Sequence, residues 1–237
     1  MLAIDIENLT KKYGAQTALD IDHLHIDPGT LTGIVGNNGA GKTTLFRLLL
    51  DLISPSKGEA RLGGQNVMGG EHWKQLTGSY LDEGFLIDFM NPGEYFRFIG
   101  KLHGMGEGSI AEYLEPFSRF MGEELLDTKK YIRQLSTGNK QKVGIIAAMF
   151  INPELLILDE PFNYLDPSSQ ILIKRMLDAL SKARKTTILI SSHNLNHLID
   201  ICDRVILLEK GKIIKDLSPS RDDIGEVERY FSLQAAE

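Results

Sequence analysis

The chain has 237 residues and carries 26 Lys and Arg against 32 Asp and Glu, a formal net charge of −6. A hydrophobic fraction of 42% and a charged fraction of 24% suit a globular protein with room for one large α/β domain. No apolar run approaches the roughly 20 residues that cross a bilayer, and the acidic balance argues against nucleic acid as the main partner. The single Cys202 excludes an internal disulfide and fits a reducing cytoplasm.

Leu2, Ile4 and Ile6 alternate with Asp5 and Glu7, so residues 2–8 read as a strand and not as a signal peptide. A turn near Gly14 leads to a second strand at 17–27, and Leu31 to Val35 forms a third that runs into a Gly-rich turn. Leu45, Leu48, Leu49 and Leu52 recur at helical spacing, so a helix follows from about Gly41. Gly58 to Leu62 and Gly78 to Leu81 read as further strands. From Phe85 onward the pattern turns to helices broken by Pro92, Gly104, Gly106, Gly108 and Gly122. Its aromatics (Phe85, Phe89, Tyr95, Phe96, Phe98, Tyr113, Phe117 and Phe120) read mostly as the core of a helical insertion. Strands at Leu155–Leu158 and Thr187–Ile190 then alternate with helices near 138–150 and 168–182, which predicts a parallel sheet with right-handed crossovers. Val205–Leu208 and Lys212–Ile214 form a last hairpin around Gly211, and a capping helix is expected around Val227 to Leu233.

Three segments carry chemistry. Gly36-Asn37-Asn38-Gly39-Ala40-Gly41-Lys42-Thr43 matches G-x-x-x-x-G-K-[ST] between a strand and a helix, the context a phosphate-binding loop requires. Glycines let the backbone turn its N–H groups inward, and the helix start presents free donors and a positive dipole end to phosphate. Lys42 should reach the β- and γ-phosphates of a nucleotide, and Thr43 should ligate Mg²⁺. Asp159 closes an apolar strand and would hold Mg²⁺ through water, while Glu160 would face the attacking water as general base. Thr187 to Ser192 delivers His193 to the same edge of the sheet, where open α/β sheets bind ligands.

Leu135-Ser136-Thr137-Gly138-Asn139, set in a turn and helix just before the Asp159 strand, resembles the signature of the ATP-binding cassette (ABC) ATPases. Five ordered motifs share that resemblance, from about residue 2 to residue 215. It implies a P-loop NTPase core with a mainly parallel sheet, an N-terminal antiparallel β part and an inserted helical subdomain. One cassette would span 1–237, with a nucleotide-binding core at 1–84 and 143–215, the helical subdomain at 85–142 and a short tail at 216–237. By the same resemblance, ATP is held by residues Gly36 to Thr44, including Thr43 and Thr44, with Tyr13 stacking on adenine. Ser136 and Gly138 would grip ATP bound by a second subunit, itself or a paralogue. Asp166, in Asn163-Tyr164-Leu165-Asp166, would sense that partner, and His193 would contact the γ-phosphate and orient the water. Lys42, Glu160 and His193 are thus the implied catalytic set, with Thr43, Glu83 and Asp159 at the metal.

The chain departs from the family pattern at Thr137 and Asn139, where glycine and glutamine are usual, and at Glu83, where most relatives have glutamine. Glu83 adds a negative charge near the triphosphate. Together with Asn139-Lys140-Gln141-Lys142 it resembles the branch that exports drugs, antibiotic peptides, lipids or polysaccharides. The implied role is an ATPase at the inner face of the cell membrane, powering a separate transmembrane permease. An importer ATPase, or a soluble cassette in assembly or cell division, stays open at this point.

Overall fold

The structure, a computed structural model, describes residues 1–126, 128–184 and 186–218. The helix expected at Val227 to Leu233 lies outside the described residues. Strands β1 (Ile4–Tyr13) and β2 (Gln16–Ile26) form an antiparallel hairpin, and β4 (Lys57–Leu62) and β5 (Gln65–Asn66) extend it in the order β2-β1-β4-β5. The second sheet runs β10-β9-β3-β8-β7-β6. It comprises β3 (Leu31–Val35), β6 (Thr77–Tyr80), β7 (Leu155–Leu158), β8 (Thr187–Ser192), β9 (Arg204–Glu209) and β10 (Lys212–Leu217). Five of its strands are parallel, and β10 closes one edge antiparallel to β9.

The continuous apolar runs of the central strands follow from burial on both faces. Leu155 and Ile157 of β7 join Ile34, Leu189 and Ile206 in a core shared with the β1–β2–β4 sheet and with helix α1 (Lys42–Leu49). Leu156 and Leu158 point the other way, with Val35, Ile188 and Ile190, into a core shared with the helical part. Helix α1 is thus packed beneath the first sheet while its N-terminus stays at the carboxyl ends of β3 and β7.

The helical part holds α2 (Pro92–Leu102), α3 (Glu107–Leu114), α4 (Ser118–Met121), α5 (Glu123–Leu126) and α6 (Thr137–Met149). Asn91 starts α2 with a reciprocal capping box to Glu94, and Pro92 sits in the first turn, where its missing N–H is harmless. Helix α7 (Pro167–Arg184) covers the same face, and α8 (Asn196–Ile199) is a single turn before β9. The aromatics correct the expectation that most of them are core. Tyr95, Phe96, Phe117 and Phe120 are buried, but Phe85, Phe89, Phe98 and Tyr113 are exposed. On α2 the reason is periodicity: Tyr95 and Phe96 lie on the inward face, and Phe98 is two positions past it.

Strand β6 approaches α6 so closely that a Cβ added at Gly78 would lie 1.9 Å from the carbonyl oxygen of Ala148. A backbone atom cannot rotate aside. Gly78→Ala is expected to cost about 2–3 kcal/mol, lowering Tm by roughly 4–12 °C in thermal unfolding. Gly108→Ala, in α3 with open space around it, serves as control and should not lower Tm.

Candidate functional site

The loop between β3 and α1 turns back on itself under two constraints. A Cβ at Gly36 would strike the carbonyl oxygen of Leu208 at 2.3 Å, and Gly41 holds φ at +110° as the N-cap of α1. A glycine N-cap has no side chain to occupy the first N–H groups of α1, which remain available to an anion. The turn after β9 braces this loop from behind, because Gly211 N–H donates to Ala40 C=O at 2.8 Å and Asp20 N–H donates to Gly211 C=O at 2.8 Å.

Lys42 is buried, and its Nζ donates to the carbonyls of Gly36 (2.7 Å) and Asn37 (3.3 Å) while lying 3.2 Å from Glu160 Oε1. Each of those partners is one that a phosphate could replace. Thr43 Oγ1 donates to Asp159 Oδ2 at 2.5 Å, and Ser191 Oγ donates to the other oxygen, Oδ1. Burial pushes the Asp159 carboxyl above its ordinary range. The Ser191 and Thr43 hydrogen bonds oppose that shift, Glu160 adds to it and Lys42 opposes it. The Thr43 hydroxyl and the Asp159 carboxylate are hard oxygen donors of the kind Mg²⁺ prefers. Among the described residues no three His, Cys, Asp or Glu side chains gather to hold a metal. A Mg²⁺ held by Thr43 and Asp159 would take its remaining ligands from phosphate and water, its usual habit.

Glu160 occupies the left-handed region with φ +48°, a conformation that costs a non-glycine residue about 1–3 kcal/mol. It persists because the residue is tied down on several sides. Its N–H donates to Ser191 Oγ at 2.8 Å. Its Oε2 accepts from the His193 backbone N–H at 3.2 Å and meets His193 Nδ1 at 2.9 Å. Strands β7 and β8, being parallel neighbours, thus bring Asp159, Glu160, Ser191 and His193 to one edge.

Residues 38–44 of the loop, with Gln16, Thr17, Ala18, Glu160 and Lys210, line a cleft of about 530 Å³. Tyr13 is not among its lining residues. It stands half exposed at the turn into β2, with Lys11 Nζ 5.1 Å from its ring centroid. Ser136 and Gly138 do not line the cleft either. Ser136 caps α6 by accepting from Asn139 N–H at 3.3 Å and is exposed, and Gly138 abuts the backbone of Tyr164. Asp166 caps α7 through Ser169, and the Ser169 hydroxyl bond holds its carboxyl below the ordinary range. Glu83 opens with Asp159, Glu160, Thr137 and Gln141 on a smaller cleft of about 210 Å³, and there it meets Lys140 Nζ at 3.0 Å. The charge that set Glu83 apart in the sequence is therefore met by the signature helix itself.

Ser191 and Lys210 escaped the sequence reading. Two consecutive serines closing a fully buried strand were the available signal for Ser191. Lys210 gave none, since it lies in a turn 168 positions after Lys42.

Residues 19–163 match the family described as ABC transporter. The chain belongs to that family. As an ABC cassette it is an ATP-binding ATPase domain of a transporter, built on the P-loop NTPase fold. It is 35% identical over 219 residues to the bacitracin transport ATP-binding protein BcrA of Enterococcus faecalis, covering 92% of this chain and 70% of that one. It is 32% identical over 212 residues to the tungstate uptake system ATP-binding protein TupC of Peptoclostridium acidaminophilum, covering 90% and 97%. A solved ATP-binding subunit of an ABC transporter superposes with a TM-score of 0.82 at 28% identity, covering 97% of this cassette and 93% of that chain. No helix among the described residues of the cassette is long and apolar enough to cross a membrane.

Proposed function

We infer that the chain is a Mg²⁺-dependent ATPase subunit that closes head to tail with a second cassette and powers export through a separate transmembrane permease. One observation carries the dimer: Ser136 and Gly138 lie outside the cleft that the phosphate loop of the same chain forms, so the signature turn is free to serve another chain's nucleotide. In this reading residues 36–44 cradle the phosphates. Lys42 exchanges its carbonyl partners for phosphate oxygens, Thr43 and Asp159 hold the metal, and Glu160 takes a proton from water placed by His193. Glu83 contributes to the metal only by releasing Lys140. Tyr13 supports adenine from the rim, and Asp166 faces the partner.

ATP then shifts the pair toward the closed state because only that state offers both halves of each site. The exposed Phe85, Phe89 and Phe98 supply apolar contact area for the permease, at the inner face of the cell membrane. The two relatives pull two ways, since one serves bacitracin transport and the other tungstate uptake. Glu83 and the Asn139-Lys140-Gln141-Lys142 run favour export, and TupC, similar to this chain over almost its whole length, sustains uptake as the second reading.

If each site needs two chains, ATPase activity per molecule should rise with protein concentration and level off once dimers dominate. A specific activity constant from dilute to concentrated protein would show a self-sufficient monomer. Vesicles holding the permease and the ATPase distinguish export from uptake by the direction of ATP-driven flux.

A further inference from the structure

The backbone of Glu160 is gripped from a direction that the catalytic reading leaves unexplained. Its carbonyl accepts from Asn163 N–H at 3.1 Å, which closes the turn after β7, and also from Gln141 Nε2 at 3.1 Å. Gln141 lies in the first turns of α6, five residues past the Ser136 cap, and is 7% exposed. It lines the smaller cleft beside Asp159 and Glu160. Helix α6 is well placed to hold such a donor still. Lys140 pairs with Glu83, Asn139 Nδ2 donates to Glu124 Oε2 at 2.9 Å, and the C-terminal half of the helix is buried.

We propose that Gln141 is a positioning residue for Glu160: its amide fixes the left-handed peptide that aims the carboxylate, and so links the signature turn to the hydrolytic site of the same chain. Rotation about the Glu160 backbone would swing the carboxylate away from His193. The Gln141 amide restricts that rotation from the α6 side, as the Ser191 hydroxyl restricts it from β8. A displacement of the signature turn moves Gln141 with it, because the turn and the amide share the first turns of one helix. Each chain then senses through α6 whether its partner's nucleotide is gripped, and presents its own base accordingly. The proposal rests on the reading of Glu160 as the base.

The test is a double-mutant cycle on turnover. Gln141→Met keeps the length of the side chain and removes the donor. In the otherwise unchanged protein it should lower kcat about 10-fold or more, because small misplacements of a catalytic group are costly. MgATP binding to the isolated chain should stay within about 2-fold, since Gln141 is absent from the larger cleft. In a Glu160→Gln background, the same substitution should change the residual single-turnover rate by less than about 2-fold, because the group it positions is gone. Equal losses in both backgrounds would mean a general structural role and overturn the proposal, as would an unchanged kcat for Gln141→Met. Should Gln141→Met fail to fold, Gln141→Asn, one methylene short of the carbonyl, enters the same cycle. Full turnover in Glu160→Gln alone would instead remove the base assignment, an outcome visible before Gln141 is touched.

Discussion

Glu160→Gln is expected to bind MgATP with near-native affinity, to lose about 10²–10⁴ in turnover and to accumulate as an ATP-bound dimer. The amide is nearly the same size and can still accept from the His193 N–H, so the left-handed turn and the loop contacts survive. What it cannot do is accept a proton. It also removes the negative charge 3.2 Å from Lys42, which frees that ammonium for phosphate and favours the bound state. Size-exclusion chromatography with and without MgATP, alongside phosphate release, separates the two effects. Wild-type turnover in this variant would sink the general-base assignment.

Ser136→Arg should have an equally large effect by a different route. The hydroxyl caps α6 by accepting from Asn139 N–H, and the residue is exposed at the turn proposed to meet the second chain. Losing the cap costs about 1 kcal/mol, too little to unfold a helix whose C-terminal half is buried in the core. The long cation, however, would fill the space into which the second chain's phosphate loop must fit. The expected result is an isolated chain that binds MgATP normally, measured by equilibrium binding, yet forms no ATP-dependent dimer and hydrolyses almost nothing. Weakened binding to the isolated chain would place the turn in the same chain's site, against the proposed arrangement.

Much of the site was legible because its signals are local. The phosphate loop, the Leu155–Leu158 strand and its Asp159-Glu160 end are contiguous, and periodicity placed them at element junctions within a residue or two. Gly58 to Leu62, read as a strand, begins one residue earlier, and the final hairpin runs to Leu217 instead of Ile214. What could not be read was the set of contacts between segments far apart in the chain. Lys140 meets Glu83 across 57 positions, Gln141 meets Glu160 across 19, and Ser191 bridges Asp159 and Glu160 across about 30. A glutamate at 83 looked like unbalanced charge because its partner is recognisable only once β6 and α6 are packed together. The aromatics failed for a related reason. Ring content signals apolar surface, but which ring faces inward depends on helix phase, and Phe98 lies two residues outside the buried stripe of α2.

Strand β3 lies between β8 and β9, whose residues come more than 150 positions later, and the loop that follows β3 is pinned from behind by Gly211. The phosphate loop is therefore completed only by segments that lie far downstream in the chain. Long-range parallel pairings of this kind close slowly, since loop entropy must be overcome before they contribute. A stretch of chain that stops before β8 has the phosphate loop but lacks both neighbours of β3 and the turn that braces it. Nucleotide capture by a folding chain therefore waits on the pairing of β3 with β8 and β9 and on the turn at Gly211.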